Sequence, residues 1–504
     1  MSKFNSNAAT AVRYPADTVN KEGYGAYRMD WRTKLITQVL TSFFNEEKFY
    51  GDNSAELVDC LKSGILDDPE FISNLAIFAR REFNMRSVSH VILGYLAHEP
   101  AGKPYVKRTL KEIVLRGDDA TEILSFYLNT FGKPIPNSLR KGLRDIFPKF
   151  DAYTLAKYKG EGHSVKMRDI LCLCRPKPND DEQAKLWKDL LEGTIKPAYT
   201  WETELSTRGN KKEVWEDLIN SGKVGYMALL RNLRNILNAN PSNIQKVLER
   251  IADQESVRQS KQLPFRYLSA YRSIPYSMSI DSVWDYRDAQ EALEKAADAA
   301  VENLPKIPGN TVIAIDVSGS MSSRISGRSD VRCCDIAMLL GVIADKICEH
   351  SLVLSFDNNL RTLSFPKRAG ILQTAMDESC YGGGTDMYLP FQYILDHNIK
   401  ADRMIILSDN MCNATFSDNY WGYGFSYYSR NNQTVQMLAD KYRNTINHNF
   451  WVHAIDLAGY GTQQFKGDRT NIIAGWSEKI FEFITLTEKG TDSLIKRISE
   501  YRAH

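Results

Sequence analysis

Between Asp30 and Ala300 the apolar residues of this chain recur at every third or fourth position, whereas beyond Pro308 they gather into short unbroken runs. The first spacing, close to the ~3.6-residue helical period, marks amphipathic helices with one buried stripe; the second marks strands covered on both faces. A chain that carries both patterns in succession has to fold into two dissimilar bodies. The stripe is plain in Leu35, Ile36, Val39, Leu40 and Phe43 and again in Ile123, Leu124, Tyr127 and Leu128. Clusters such as Ser63-Gly64, Glu99-Pro100, Gly132-Lys133-Pro134 and Asn240-Pro241 cut it into segments of ordinary helix length. Helices this short bury their stripes only by stacking. An irregular HEAT-like ring or solenoid satisfies that need, and so does a compact helical globule.

Apolar runs at 311–317, 352–356, 404–407 and 450–457 alternate with helical stretches at 335–350 and 435–443. Alternation of this kind predicts a doubly wound parallel sheet, whose ligands sit at the carboxyl ends of the strands. The expected division is an N-terminal arm (1–27), a helical domain (28–300), a Pro- and Gly-punctuated linker (301–310) and an α/β domain (311–504).

The strand ends carry oxygen ligands. The first run leads into Asp316-Val-Ser318-Gly-Ser320, the third into Ser408-Asp409-Asn410, and Gly382-Gly-Gly-Thr385-Asp386 lies between them. Two carboxylates and three hydroxyls suit a small hard divalent cation, Mg²⁺ foremost, with the glycines letting backbone approach it. So few carboxylates leave the ion electrophilic, able to accept an acidic group from a partner at an open position. The other reading is a turn that only steadies its loops. Directly after Asp409 comes a segment with seven aromatic residues in thirteen, among them Phe416, Tyr420, Trp421, Tyr423 and Phe425. It is expected to be a partner-binding loop or a cover for an apolar edge.

Lys plus Arg (64) and Asp plus Glu (62) nearly cancel, so any polyanion surface must be local. Residues 101–150 alone hold 10 basic against 5 acidic side chains. Lys107, Arg108 and Lys111 are expected to share one helix face, and Arg140, Lys141 and Arg144 another. Lys166, Arg168, Arg175, Lys177, Arg231 and Arg234 follow. Singly, each stripe reads equally well as solvated surface. Side by side, they would line a path for phosphates.

The metal pattern resembles the metal-ion-dependent adhesion site of von Willebrand factor A domains over about residues 307–504. That resemblance implies Asp316, Ser318, Ser320, Thr385 and Asp409 as ligands, direct or through water, with Asp386 beyond them. Pro136-Asn-Ser-Leu-Arg-Lys-Gly-Leu143, Val165-Lys-Met-Arg-Asp-Ile-Leu171 with Arg175-Pro-Lys-Pro178, and Tyr226-Met-Ala-Leu-Leu-Arg-Asn-Leu-Arg234 resemble the TROVE module of Ro ribonucleoproteins. The order of the two modules is the Ro architecture. The resemblance implies a helical ring that binds small noncoding Y-like RNAs on an outer basic surface and single-stranded 3′ ends of misfolded RNAs in its hole. An RNA-processing enzyme or exonuclease is then a partner, and no DNA is expected. By position Lys166, Arg168, Arg175 and Lys177 belong to the Y-RNA surface, with Arg140, Lys141 and Arg144 beside it and His163 preceding it; Lys107, Arg108, Arg231 and Arg234 are assigned to the hole. Cys172 stands where the family pattern has a further basic residue.

The chain has no P-loop, GxSxG elbow or HExxH helix, and no Cys/His cluster of zinc-like spacing, so no enzyme is expected. A polar N-terminus and the lack of a membrane-length apolar run predict a cytoplasmic protein with reduced thiols. The competing readings are a metal-dependent protein adaptor that does not bind RNA and, last, a metal-dependent hydrolase.

Overall fold

The computed structural model describes residues 18–19, 25–26, 31–41, 53–158, 164–262, 264–274, 283–324, 331–366, 369–377, 382–409, 435–457, 465, 469–474 and 479–502. The chain divides into two compact units, residues 31–303 with 489–504, and residues 1–30 with 304–488. No helix among the described residues is long and apolar enough to cross a membrane.

The first unit is helical, and its local signals are strong. In the helix Pro69–Arg81 the Asp68 side chain caps the Phe71 N–H at 3.0 Å, Pro69 opens the first turn and Arg80 and Arg81 face the carboxyl end. Its stripe packs on the helices Arg86–His98 and Val106–Ile113. Arg86–His98 packs in turn on Gly117–Phe131, Val106–Ile113 on Asn137–Ile146, and Asn137–Ile146 on Met167–Cys174. Helices two places apart thus pack on one another, a solenoid-like stacking that buries their stripes. Asp119, fully buried, ties three of these helices together. It accepts from Arg86 Nε at 2.5 Å, Arg80 Nη2 at 3.3 Å and the backbone N–H groups of Leu115 and Arg116 at 2.9 and 2.8 Å.

The end of the chain belongs here, which corrects the expected 311–504 boundary. The helix Thr491–Ser499 packs on Pro69–Arg81: Tyr501 stands edge-on to Phe78 at 5.2 Å and donates to Glu82 Oε1 at 2.6 Å, and Asn74 Nδ2 donates to the Ser499 carbonyl at 2.7 Å.

In the second unit a two-residue ladder joins β1 (Thr18–Val19) to β2 (Gly25–Ala26). The main sheet comprises β3 (Ile307–Asp316), β4 (Cys348–Phe356), β5 (Leu360–Leu363), β6 (Arg403–Ser408), β7 (Trp451–Asp456) and β8 (Thr470–Ala474). Their order is β5-β4-β3-β6-β7-β8, parallel throughout except for the antiparallel edge strand β5. Val312, Ala314, Met404, Ile406 and Val452 share one face with Phe391 and Tyr442 from two helices. The opposite face meets the helix Cys333–Ile347 so closely that a Cβ on Gly341 would come within 2.4 Å of Ile315 Cδ1. Helices on both faces are the doubly wound arrangement, and they explain why these strands read as unbroken apolar runs. β3 begins inside the expected linker. Gly309, at φ +82°, opens a register shift there, and a side chain on it would collide with Asp402.

Cys334 is disulfide-bonded, which corrects the expectation of reduced thiols. Cys60, Cys172, Cys174, Cys333 and Cys348 form no disulfide.

Candidate functional sites

β3 and β6 are neighbours at the point where the sheet order reverses, and Asp316 ends one while Asp409 follows the other. The Ser318 N–H donates to Asp316 Oδ1 at 2.9 Å, Ser408 Oγ donates to Asp316 Oδ2 at 2.6 Å, and the hydroxyls of Ser318 and Ser320 lie 3.2 Å apart. The glycine loop is pinned onto this turn, with the Gly319 N–H on the Gly383 carbonyl at 3.1 Å and the Gly382 N–H on the Val317 carbonyl at 3.2 Å. Gly383 has φ +103°, and a Cβ on Gly384 would meet Asn358 Oδ1 at 2.6 Å, so only glycines let the loop close here and deliver Thr385.

Asp316, Ser318, Thr385 and Asp409 are all buried. Burial, and then the neighbouring Asp409, push the Asp316 carboxyl up to about 7, against the hydrogen bonds from Ser318 and Ser408. Two carboxylates held together out of water, with hydroxyls as the remaining donors, fit a hard divalent cation that would relieve their repulsion. Among the described residues no group of three or more His, Cys, Asp or Glu side chains could hold a metal, so such an ion depends on the hydroxyls.

Sequence reasoning missed two residues here. Ser408 orients Asp316. Asp357, at the end of β4, accepts from the Asn359 N–H at 2.7 Å and Arg361 Nη2 at 3.2 Å, and its carbonyl takes the Asp386 N–H at 3.1 Å. The carboxylate directly after an apolar run was the available signal for Asp357. Phe416, Tyr420, Trp421, Tyr423 and Phe425 lie outside the described residues, as does His163.

The basic side chains fall into three places. The helix Asn137–Ile146 packs on Val106–Ile113 at Gly142, where a Cβ would stand in ordinary contact 3.5 Å from Leu110. Lys107 then reaches Asp145 at 2.5 Å, and Asp145 also pairs with Arg144 at 3.0 Å. On the helix Met167–Cys174, which packs on Asn137–Ile146, burial raises the Cys174 thiol to about 11 while the charges of Arg140 and Arg144 pull it down. Arg140, Lys141, Arg144, Arg175 and Lys177 are exposed. Lys166 and Arg168 begin the same helix, roughly 10 Å away along its axis.

Arg108 departs from the expected face. It bonds Asn74 and, at 3.5 Å, the Tyr501 carbonyl, because consecutive helical residues point about 100° apart and only Lys107 looks toward Asp145. Arg231 and Arg234 are exposed on the separate helix Tyr226–Ala239.

The TROVE domain family matches residues 44–199 and 192–278, and the Ro60 vWA domain family matches residues 310–420. Telomerase protein component 1 of Rattus norvegicus is 30% identical over 41% of this chain, and the RNA-binding protein RO60 of Caenorhabditis elegans is 28% identical over 41%. The matches span only 11% and 33% of those relatives. The crystal structure of the Deinococcus radiodurans RO (RSR) protein superposes with a TM-score of 0.65 at 16% identity, covering 93% of this chain and 99% of that one. A TROVE helical unit that precedes a Ro60-type α/β domain, within a fold shared almost end to end with a Ro protein, makes the chain a member of the Ro ribonucleoprotein family.

Proposed function

We propose that the chain is an RNA-binding scaffold. Its helical unit holds small noncoding, Y-like RNA and the single-stranded 3′ ends of misfolded RNAs, and serves RNA quality control or processing in the cytoplasm. The observation that carries this reading is the stacking of the helices Val106–Ile113, Asn137–Ile146 and Met167–Cys174, which between them put Lys107, Arg140, Lys141, Arg144 and Arg168 on the protein surface. Such a surface suits a phosphate backbone with salt-dependent affinity, and the similarity to RO60 supports RNA as the polyanion.

The α/β unit acts by holding, not by cutting. Asp316, Ser318, Ser320, Thr385 and Asp409 would bind Mg²⁺, and the ion would offer an open position to an acidic side chain of an RNA-processing enzyme or exonuclease. Hydrolysis is the weaker reading, since two-metal chemistry uses clustered carboxylates and this site has two beside three hydroxyls. Filter binding of a structured RNA with a single-stranded 3′ tail, across a salt series, tests the proposal. The expected affinity is micromolar or tighter and falls steeply with salt. Binding that is absent or indifferent to salt would leave only the protein-adaptor reading.

A further inference from the structure

We propose that a polar cavity in the helical unit seats unpaired RNA bases and tells them apart by their exocyclic amino groups. The inference rests on the RNA-binding reading above and names what one part of that unit recognises. The cavity, of about 850 Å³, lies among the helices Gly117–Phe131, Ala152–Lys157, Trp201–Arg208 and Tyr226–Ala239, and no local motif marks it. Its volume falls within the ~300 to 1,000 Å³ typical of pockets for small organic groups.

The lining carries both charges, Lys157 and Arg231 with Glu122 and Glu202. A site for phosphate alone would gain nothing from carboxylates. Glu122, Glu202, Ser206 and Arg231 make no hydrogen bond or ion pair with another described residue. Their neighbours, by contrast, are committed: Asp118 pairs with Arg116 at 3.0 Å, and Thr203 bonds Thr200. Four polar groups of complementary kinds are therefore left facing one hollow.

Tyr158 supplies the apolar element. Arg116 lies over its ring at 5.7 Å and donates to its hydroxyl at 3.3 Å, which fixes the ring's orientation. The exposed Lys157 ammonium sits 5.4 Å from the same ring and 5.6 Å from that of Tyr153. An exposed cation–π contact is weak, so the ammonium can leave for a phosphate and yield the ring to a base. The carboxylates then accept from the amino groups of cytosine, adenine or guanine. Uracil presents a carbonyl at the corresponding position and a single N3–H as the donor on that edge, so it cannot satisfy both carboxylates.

Cytosine and uracil differ only on that edge, an amino group and a bare N3 against a carbonyl and an N3–H, so labelled single-stranded cytidylate and uridylate octamers, titrated with the full chain by fluorescence anisotropy, decide the matter. The expected result is cytidylate binding about tenfold tighter than uridylate. Glu122→Gln combined with Glu202→Gln, both at exposed positions, should bring the two within about twofold of each other. Tyr158→Leu should weaken both about tenfold. Equal binding of the two octamers by the native chain, or a preference untouched by the double glutamine variant, overturns the proposal even if Tyr158→Leu fails to fold. If structured RNA binds with a steep salt dependence while the octamers bind alike, the cavity assignment fails alone. If neither RNA binds, both readings fail.

Discussion

Replacing Arg140, Lys141 and Arg144 together by Gln should flatten the salt dependence of RNA binding while leaving the fold in place. All three are exposed on the helix Asn137–Ile146, where, among the described residues, the Arg140 side chain bonds only Asn137 and that of Arg144 only Asp145. Surface changes of this kind stay within about 0.5 kcal/mol each. Lys107, Arg140, Lys141, Arg144, Arg175 and Lys177 are exposed on or just after three stacked helices, but Asp145 is shared between Lys107 and Arg144, so roughly five charges remain for phosphates. Each phosphate neutralised contributes about 0.7 to 0.9 to the slope of log affinity against log salt. Five contacts at ~0.8 each, over a fourfold rise in salt, cost the native protein ~2.4 decades of affinity. With two contacts left, the variant loses about one decade over the same range. Filter binding of a tailed structured RNA at five salt concentrations, with thermal unfolding as the control for folding, reads both numbers. A slope unchanged in a variant of native melting temperature would show that phosphates do not lie on this surface and would refute the reasoning.

Three other outcomes follow from the same contacts. Mg²⁺ at about 100 times its dissociation constant should stabilise the α/β unit by about 2.7 kcal/mol, roughly 5 to 10 °C in melting temperature. Asp316→Asn should abolish that response without lowering the metal-free melting temperature, because burial already disfavours the Asp316 charge; a response kept by the variant would place the ion elsewhere. Asp119→Ala should cost about 3 to 5 kcal/mol in denaturant unfolding, since Arg80 and Arg86 would lose their shared carboxylate and Arg80 is only 8% exposed; a loss under 1 kcal/mol would mean that water replaces it. Asp316, raised to about 7, works in the opposite sense, gaining stability as pH drops, so the test is made in Asp316→Asn, where the stability of the α/β unit should fall as pH drops. Burial lowers the pKa of His453, so the unfolded chain takes up that proton first, from about pH 6.5 downward. The Glu488 carboxyl, which burial alone would raise, is brought below its usual value by bonds from His453 at 2.9 Å and Arg403 at 2.6 Å, and its contribution is lost at still lower pH. In His453→Gln the loss near pH 6 should vanish while that near pH 4 remains.

How much of this could be read from the chain depends on where each residue's environment is encoded. β3, β4, β6 and β7 are legible because helices cover both faces and each holds a buried, mostly apolar run. The edge strand β5 is only half covered, and β8 is a five-residue strand; neither offers a run long enough to register. The helix Thr491–Ser499 shows its stripe in Leu494 and Ile498, yet nothing in that stripe says that it will be buried against Phe78, more than 400 positions earlier.

The same distinction separates the two kinds of site. Metal ligands crowd into turns at strand ends, where Asp316, Ser318 and Ser320 are brought together by a backbone path of five residues, so local spacing is nearly geometry. A polyanion surface is set by how each helix is rotated about its axis, and adjacent residues differ there by about 100°. That single step sends Lys107 to Asp145 and Arg108 to Asn74 and the Tyr501 carbonyl, although both read as one basic stripe. Arg231 shows the limit most clearly: its neighbours in the cavity come from positions 118 to 207, and only the stacking of helices makes them one surface. Charge on a helical solenoid therefore needs coordinates before it means anything, whereas oxygen ligands on a strand-end turn do not.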